Sequence, residues 1–594
     1  MRAAFAWLLA PAACVALEVL PGFGPGALRV VGAFVLFLIL PGWLVHLHIL
    51  PSARIHPAER IVRAFVLSLA LGSVLGMAAW FLGGGAARGP VPGAGAPTPP
   101  ILGRLGAVIW GEAAWLLIGA LLLIVRRACG HGGAMGAGEQ PAREGAVRSA
   151  RRFAPSGGLL MLLVLVVLIG ILGFRAGGIF GFESDAPDHL SCIREMVEGD
   201  RILPRTTFHI DGDGAAVDSR KGFYHVMAAA IARAAGVDPL VLWNLLPALL
   251  MPLALLVFYT FARRLLTSEV AVLCATALAL ICFGDASSGI FLRVNYGSQM
   301  GTLLAWAALA MALGAMRAGD GRGGPGPSIE WSAPERRVER GRLMVAGLAA
   351  FAAAGVHLFA AVHLLFAWGV FVAALLLLRG PRHPSFVRAA VIWAALFAGC
   401  VLPVVWRMAF TLATPNPLHT HRQGMLGLGG DFSLVASRLW WRYVGPFGLA
   451  AIALSPFLWR RARTDDAALY LAALSAAPVL VVANPLVVPL VEPVLGYLVD
   501  RLLYAIPFPI VLACIGYRLF AGLTERRTRR RSAAVLAFAL LMVGLLIPRL
   551  AAFAHSHSPR AAAARHERSI LAWKDLLDRM EDTIDPRSVV LSDP

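Results

Sequence analysis

An acidic stretch between two apolar runs carries the residues best suited to chemistry. Asp185, Asp188 and His189 lie within five positions of one another. If a helix begins near Pro187, the three side chains can converge at its N-terminal end, because positions three and four apart share a helix face. A carboxylate held there could take a proton from a hydroxyl acceptor, and the group could also hold a divalent cation. An acidic helix start favoured by the helix dipole is the non-catalytic alternative.

Basic and aromatic residues in neighbouring polar segments could bind a phosphate group. They are Lys221, Arg293, Tyr296, Arg407 and Arg501. An interfacial side chain that snorkels to water is the alternative for the basic ones. At Arg293 and Arg501 the apolar flanks would make an unpaired charge costly, which favours a bound partner for these two.

The elements that must position these residues are membrane helices. The chain has 594 residues, of which 58% are hydrophobic and only 15% charged, and its mean hydropathy is +0.73. This composition excludes an ordinary soluble protein. A bilayer core needs roughly 20 apolar residues per helix, so we expect about fifteen spans. They are placed at 4–20, 28–49, 61–83, 105–126, 157–174, 239–262, 268–284, 298–316, 343–358, 361–378, 387–406, 446–459, 467–488, 501–521 and 533–548.

Arginine placement orients these spans. The formal charge of +19 would suggest nucleic acid in a soluble domain, but here most arginines lie in short loops between apolar runs. With the N-terminus inside, nearly all of these loops become cytoplasmic, as the positive-inside rule requires. The acidic loop 175–238 and the other candidate residues then face outward. The pattern requires a reversal near His357, because one long helix over 343–378 would invert everything downstream.

The order of features resembles the GT-C superfamily of membrane glycosyltransferases, in the branch of protein mannosyltransferases and aminoarabinose transferases. A span, an outward acidic loop, a surface helix, a Gly-Asp then Pro segment and a basic-aromatic stretch follow one another, and the resemblance covers roughly residues 157–548. Asp185 falls on the family's leading acid. Ala186 stands at its usual second acid and His189 at its usual aromatic, so Asp188 is the candidate to replace the missing carboxylate.

The resemblance implies an all-α polytopic fold: a GT-C-like multi-span bundle with an outward catalytic loop that carries surface helices. The implied activity is inverting transfer of a sugar from a polyprenyl-phosphate donor to a lipid, glycan or protein acceptor. The site would face outward in a bacterial cytoplasmic (inner) membrane, with membrane lipids and no nucleic acid as further partners. Asp185 and Asp188 would be catalytic. Donor and acceptor would contact His189, Lys221, Arg293, Tyr296, Arg407 and Arg501. A divalent cation (Mg, Mn or Ca) would bind Asp185, Asp188 and His189.

The chain divides into three parts on this interpretation. Residues 1–156 form an accessory N-terminal four-span module with linkers, 157–548 the catalytic module, and 549–594 an outward tail that could lead into a larger domain. Two other functions stay open: a transporter or flippase of lipid-linked glycans, and an inactive scaffold of a cell-envelope polysaccharide assembly. The lack of an inverted repeat and the clustering of acidic residues in one loop favour an enzyme.

Overall fold

The chain is described from a computed structural model. It describes residues 25–49, 55–82, 104–128, 157–180, 186–200, 202, 222–283, 290–291, 293–318, 333–411, 425–429, 432–525 and 528–556. This part of the chain is helical apart from one two-stranded hairpin, which agrees with the predicted all-α class.

The helices follow the chain in three groups. The first contains α1 (Pro25–Leu38), α2 (Leu40–Ile49), α3 (Pro57–Leu82), α4 (Leu105–Ala128), α5 (Gly157–Phe180), α6 (Ala186–Glu198) and α7 (Phe223–Ala235). The second contains α8 (Pro239–Leu265), α9 (Glu269–Phe283), α10 (Gly297–Ala318), α11 (Ala333–Val356), α12 (Leu358–Arg379) and α13 (Pro384–Thr411). After the strands β1 (Met425–Gly429) and β2 (Phe432–Val435), the third contains α14 (Ser437–Tyr443), α15 (Gly445–Leu454), α16 (Pro456–Ala462), α17 (Asp466–Val482), α18 (Val488–Leu495), α19 (Phe508–Glu525) and α20 (Arg529–Ser556).

Within the described ranges, nine helices are long and apolar enough to cross a membrane, and five shorter apolar helices accompany them. Together they coincide with every predicted span except 4–20, which lies outside the described residues. The multi-pass character is therefore confirmed, because helices of this length satisfy their own backbone hydrogen bonds in a bilayer.

The bundle has two chemically different ends. On α8, Trp243 and Arg264 are about 30 Å apart at 1.5 Å per residue. Trp243 lies against His189, whereas Arg264 pairs with Glu59. We call the end with Glu59 and Arg264 the arginine end and the end with His189 the histidine end. Arg342, which precedes the apolar part of its helix, donates to Gly314 O at 3.2 Å at the arginine end.

The predicted reversal near His357 is confirmed. His357 has extended backbone (φ −155°, ψ 129°), and its Nδ1 accepts from Phe359 N at 3.2 Å, which caps α12. At the far end of α12, Arg379 pairs with Asp466 and donates to Ala462 O at 3.2 Å. Shortly after α12, Arg388 donates to Met316 O of α10 at 3.0 Å, two residues from the Gly314 carbonyl that accepts from Arg342, so α12 ends at the end of the bundle where the apolar part of α11 begins.

Small residues let the helices approach closely. A Cβ on Gly399 of α13 would lie 2.3 Å from Gly347 O of α11. A Cβ on Gly42 of α2 would lie 1.9 Å from Ala64 O of α3, where Gly42 N also donates to Ser68 Oγ at 2.8 Å. Such backbone contacts supply the van der Waals packing that holds helices together in lipid, where water contributes little.

The last part of the bundle departs from the predicted spans. The span predicted at 446–459 is two helices, α15 and α16, which meet at Ser455 because Pro456 cannot continue the hydrogen-bond ladder. The span predicted at 501–521 begins as a 3₁₀ helix, Gly496–Ala505, and becomes α-helical only after Pro507. The hairpin of β1 and β2 was not predicted.

The helices of the predicted accessory module pack into the same core as those that follow. On α3, Gly76 lies against Phe223 of α7, and Ser73 lies against Gly355 of α11. The boundary at 156 stays a prediction of the sequence. The predicted tail is described only as far as the end of α20.

Candidate functional site

The predicted site residues fall into three groups. Asp185 and Lys221 lie outside the described residues. Asp188 and Arg407 lie in α6 and α13, but their side chains lie outside the description. The side chains of His189, Arg293, Tyr296 and Arg501 are described, and all four lie at the histidine end.

Helix α6 begins at Ala186, directly after the proposed catalytic Asp185, as the sequence predicted. Its buried side chains are Ala186, His189, Cys192, Ile193 and Met196, because this face of α6 packs on α7 and α8. His189 therefore points into protein.

His189 and His225 form a buried hydrogen-bonded pair. His189 Nδ1 lies 2.7 Å from His225 Nε2, and the two rings are nearly parallel, with 5.0 Å between centroids. The side chains are 4% and 0% exposed respectively, so the pair is sealed from water. His225 belongs to α7, so the pair joins the start of α6 to the start of α7.

The hydrogen bonds assign the proton positions in this pair. Gly222 N–H can only donate, and it donates to His225 Nδ1 at 3.2 Å. His225 therefore carries its proton on Nε2 and donates it to His189 Nδ1. His189 Nδ1 is then an acceptor, and its own proton lies on Nε2. Both imidazoles are neutral in this arrangement.

Aromatic rings enclose His189. Trp243 of α8 lies nearly parallel to it at 5.8 Å between centroids, and Tyr296 meets it edge-on at 5.2 Å. Trp243 and Tyr296 also contact each other at 5.3 Å. Because Trp243 is 0% exposed and Tyr296 only 3%, these rings position the start of α6 and do not offer a surface for a sugar. We call His189, His225, Trp243 and Tyr296 the histidine cluster.

A second group of charged residues lies at the same end. Arg293, Arg442 and Arg501 all act electrostatically on Tyr504, which the 3₁₀ helix carries. Arg501, Tyr443 and Arg442 act on the carboxyl group of Asp500. We call these six residues the cationic cluster. It brings together Arg293 and Arg501, the two arginines that the sequence singled out for their apolar flanks.

The carboxylate of the cationic cluster, Asp500, is buried, and one of its oxygens lacks a hydrogen-bond partner among the described residues. Asp500 is 5% exposed, and its Oδ1 has no hydrogen-bond partner in the structure. Tyr443 and Tyr504 pack edge-to-face at 4.8 Å between centroids. Burial, followed by the neighbouring Tyr504 and Asp500, raises the pKa of Tyr443, so its hydroxyl stays a proton donor.

One short turn connects the two clusters. Tyr296 N donates to Arg293 O at 2.9 Å, which closes a turn just before α10. Tyr296 packs on His189, and Arg293 acts on Tyr504, so the turn contributes one residue to each cluster. The start of α6 and the three arginines therefore meet at one end of the bundle.

The histidine pair bears on the expected divalent cation. Among the described residues, no group of three His, Cys, Asp or Glu side chains could hold a metal. His189 accepts through Nδ1 and carries its proton on Nε2, so it has no free lone pair while the Gly222 and His225 hydrogen bonds persist. His189 does not fit a metal ligand in this arrangement. The side chains of Asp185 and Asp188 lie outside the described part of the chain.

Sequence reasoning missed several members of the site. His225 lies in the stretch from Lys221 to His225, where the basic residue was given the functional role and the histidine none. Its signal was a histidine at the start of an apolar helix, three residues after Gly222. Arg442 gave no local signal that it would meet Arg501.

We compared the chain with known protein families, curated proteins and solved structures. No family model, curated protein or solved structure matches this chain. The function is therefore proposed from the residues, their geometry and the resemblance in the order of motifs.

Proposed function

We propose that this protein transfers a sugar from a polyprenyl-phosphate carrier to an acceptor at the histidine end of the bundle, as a GT-C-type glycosyltransferase. The observation that carries the proposal is the cationic cluster. It gathers Arg293, Arg442 and Arg501 at the end of a membrane bundle, beside the helix that begins immediately after Asp185.

The cationic cluster fits the phosphate of a lipid-linked donor. Arg442 and Arg501 act on the carboxylate of Asp500, and Arg293 joins them around Tyr504, so a surplus of positive charge lies among the described side chains of the cluster. Guanidinium forks match phosphate oxygens in pairs, and they stabilise negative charge that grows on a leaving phosphate. Arg293 and Arg501 are half-buried and Arg442 is exposed, so a ligand can approach them from the solvent side.

The acidic start of α6 fits the acceptor side of the reaction. In the proposed step, the Asp185 carboxylate takes the proton of the acceptor hydroxyl as its oxygen attacks the anomeric carbon. The bond between that carbon and the phosphate oxygen breaks, and the phosphate keeps the electron pair beside the arginines. Attack opposite the leaving group inverts the anomeric centre. General base catalysis of this kind contributes about 100- to 10,000-fold.

The histidine cluster has a positioning role in this proposal. The hydrogen-bond network assigns His189 Nε2 as a proton donor, and a donor of this kind is suited to orient a carboxylate. Asp185 precedes His189 by four residues in the sequence, and we propose that its carboxylate is the group that His189 orients. His225 fixes the tautomer of His189 through Gly222 and would act only through it.

The test is transfer by the purified protein. We would reconstitute the full chain in nanodiscs with a panel of polyprenyl-phosphate sugars and candidate acceptors, and measure glycosylated product and free polyprenyl phosphate by mass spectrometry. Product or carrier release above that of an Arg293→Gln, Arg501→Gln double variant supports the enzyme. Movement of the intact donor between leaflets without either product would support a flippase instead. Binding without turnover across the panel would support a scaffold.

A further inference from the structure

A second charged cluster lies at the opposite, arginine end of the bundle. Glu59 of α3 accepts from Arg63 Nη2 at 2.6 Å through Oε1, and it pairs with Arg264 of α8 through Oε2. Glu59 and Arg63 are 6% and 1% exposed. One buried carboxylate therefore bridges two arginines from different helices.

A third arginine joins them from α11. Arg342 donates to Gly314 O at 3.2 Å and acts electrostatically on Glu59. The Arg264 guanidinium lies against the same glycine, since a Cβ on Gly314 would be 3.2 Å from its Cζ. Arg264 and Arg342 thus converge on one point of α10. We call Glu59, Arg63, Arg264 and Arg342 the Glu59 cluster.

The charges within the Glu59 cluster do not balance. Glu59 carries one negative charge against the two positive charges of Arg63 and Arg264, the arginines that it contacts directly. Nε of Arg63 and Nε of Arg264 are also buried without a hydrogen-bond partner. Burying uncompensated charge costs several kcal/mol per ion, so a network built only for stability would be expected to carry a matching anion.

We propose that the Glu59 cluster binds a phosphate group, supplied by an anionic lipid headgroup or by free phosphate. Arg264, 17% exposed, and half-buried Arg342 form the accessible edge, while Arg63 beneath them holds Glu59. Glu59 in turn fixes the orientation of Arg264. Glu59 lies in the first turn of α3 and Arg264 in the last turn of α8, the depth at which basic side chains between helices meet lipid headgroups. This site is independent of the proposed glycosyl transfer.

Thermal unfolding of the full-length protein in neutral detergent tests the proposal. One arm titrates sodium phosphate against sodium chloride at matched ionic strength, and the other compares phosphatidylglycerol with phosphatidylcholine in mixed micelles. We expect the unfolding temperature to rise with the anionic ligand. A rise in both arms shows that the phosphate group is sufficient, and a rise only with phosphatidylglycerol shows that a lipid is the source. No rise in either arm overturns the proposal.

Variants separate this site from the cationic cluster at the histidine end. Arg264→Gln and Arg342→Gln should each weaken the anion affinity about tenfold or more, because each removes a charge-assisted contact. Exposed Arg460→Gln, at the same end of the bundle, should leave this stabilisation in place. Loss in Arg501→Gln alone, or none in Arg264→Gln and Arg342→Gln, would assign the anion elsewhere and overturn the proposal.

Glu59→Gln gives a test with the opposite sign. Removing the carboxylate increases the surplus positive charge, so the variant should be less stable without anions and should gain a larger rise in unfolding temperature from phosphate than the wild type. A network whose role is only to lock α3 to α8 would lose stability without any such rescue.

Discussion

Asp500 and Arg501 show how adjacent residues divide between structure and binding. Asp500 is buried, whereas Arg501 is half-buried and joins Arg293 and Arg442 around Tyr504. The Asp500 carboxylate offsets part of the positive charge of Arg442 and Arg501. The result is a concentrated positive charge that is held in place before any ligand arrives.

Arg501→Gln should therefore act on donor binding. We expect the KM for the polyprenyl-phosphate sugar to rise about tenfold or more, because a hydrogen bond to a charged group contributes about 1.5–3 kcal/mol. The unfolding temperature should change little. Exposed Arg438→Gln, at the same end of the bundle, is the control and should leave the KM unchanged. A parallel loss of stability and activity in Arg501→Gln would instead indicate a structural residue.

The histidine pair makes a separate prediction at the residue scale. His225→Phe leaves the buried Gly222 N–H without its acceptor and His189 Nδ1 without its donor, so the protein should lose about 1–3 kcal/mol of stability. Tyr224→Phe is the matched control, because the Tyr224 hydroxyl is buried without a partner. Removing that hydroxyl should be neutral or stabilising. Thermal unfolding of both variants measures the difference, and equal loss in the two would contradict the assigned hydrogen bonds.

At the scale of elements, the position of each span in the described chain could be predicted from the sequence. The bilayer fixes the length of an apolar helix, so a run such as that of α8 is visible without any tertiary information. The breaks within helices were harder to predict from the sequence. Pro507 and Pro509 stand in the printed sequence, but the proline positions alone do not say that Gly496–Ala505 winds as a 3₁₀ helix.

Some parts of the candidate site could also be predicted from the sequence, and others could not. Arg293 and Arg501 could be chosen from the sequence as candidate binding residues, because a charged residue between apolar flanks is unusual in a membrane protein. The hairpin could not, because Gly427 and Gly429 weaken any strand pattern. The meeting of Arg442 with Arg501 could not either, since it depends on how α14 packs beside the 3₁₀ helix.

Close helix packing predicts a contrast between two glycines. Gly399→Ala would force a Cβ to within 2.3 Å of the Gly347 backbone, so we expect a loss of about 1–3 kcal/mol as α13 moves away from α11. Gly544→Ala, also within a helix, has nothing within 4 Å of the new Cβ and should leave stability unchanged or slightly raised. Thermal unfolding of the two purified variants measures the contrast. Equal behaviour would contradict the packing of α13 on α11.

At the scale of the whole molecule, charge separates the two ends of the bundle. The arginine end gathers loops such as that of Arg379 and Arg460, and the histidine end carries α6 and the cationic cluster. By the positive-inside rule the arginine end should face the cytoplasm. The proposed donor, acceptor and catalytic residues then share the outer face.

Cysteine labelling tests that orientation. Arg438→Cys places an exposed thiol at the histidine end and Arg460→Cys places one at the arginine end. In intact expressing cells, a membrane-impermeant maleimide should label the first and not the second, and permeabilised cells should label both. The wild-type protein, whose own cysteines remain, gives the background. The reverse pattern would place α6 and the cationic cluster in the cytoplasm.

The most direct measurement is the single-turnover rate of sugar transfer by the Asp185→Asn protein in nanodiscs, with a donor that the wild type uses. If Asp185 takes the acceptor proton, the rate should fall about 100- to 10,000-fold while donor binding is retained. Glu198→Gln, at the exposed end of the same helix, should keep the wild-type rate. An Asp185→Asn protein that transfers sugar at the full rate would contradict the proposed mechanism.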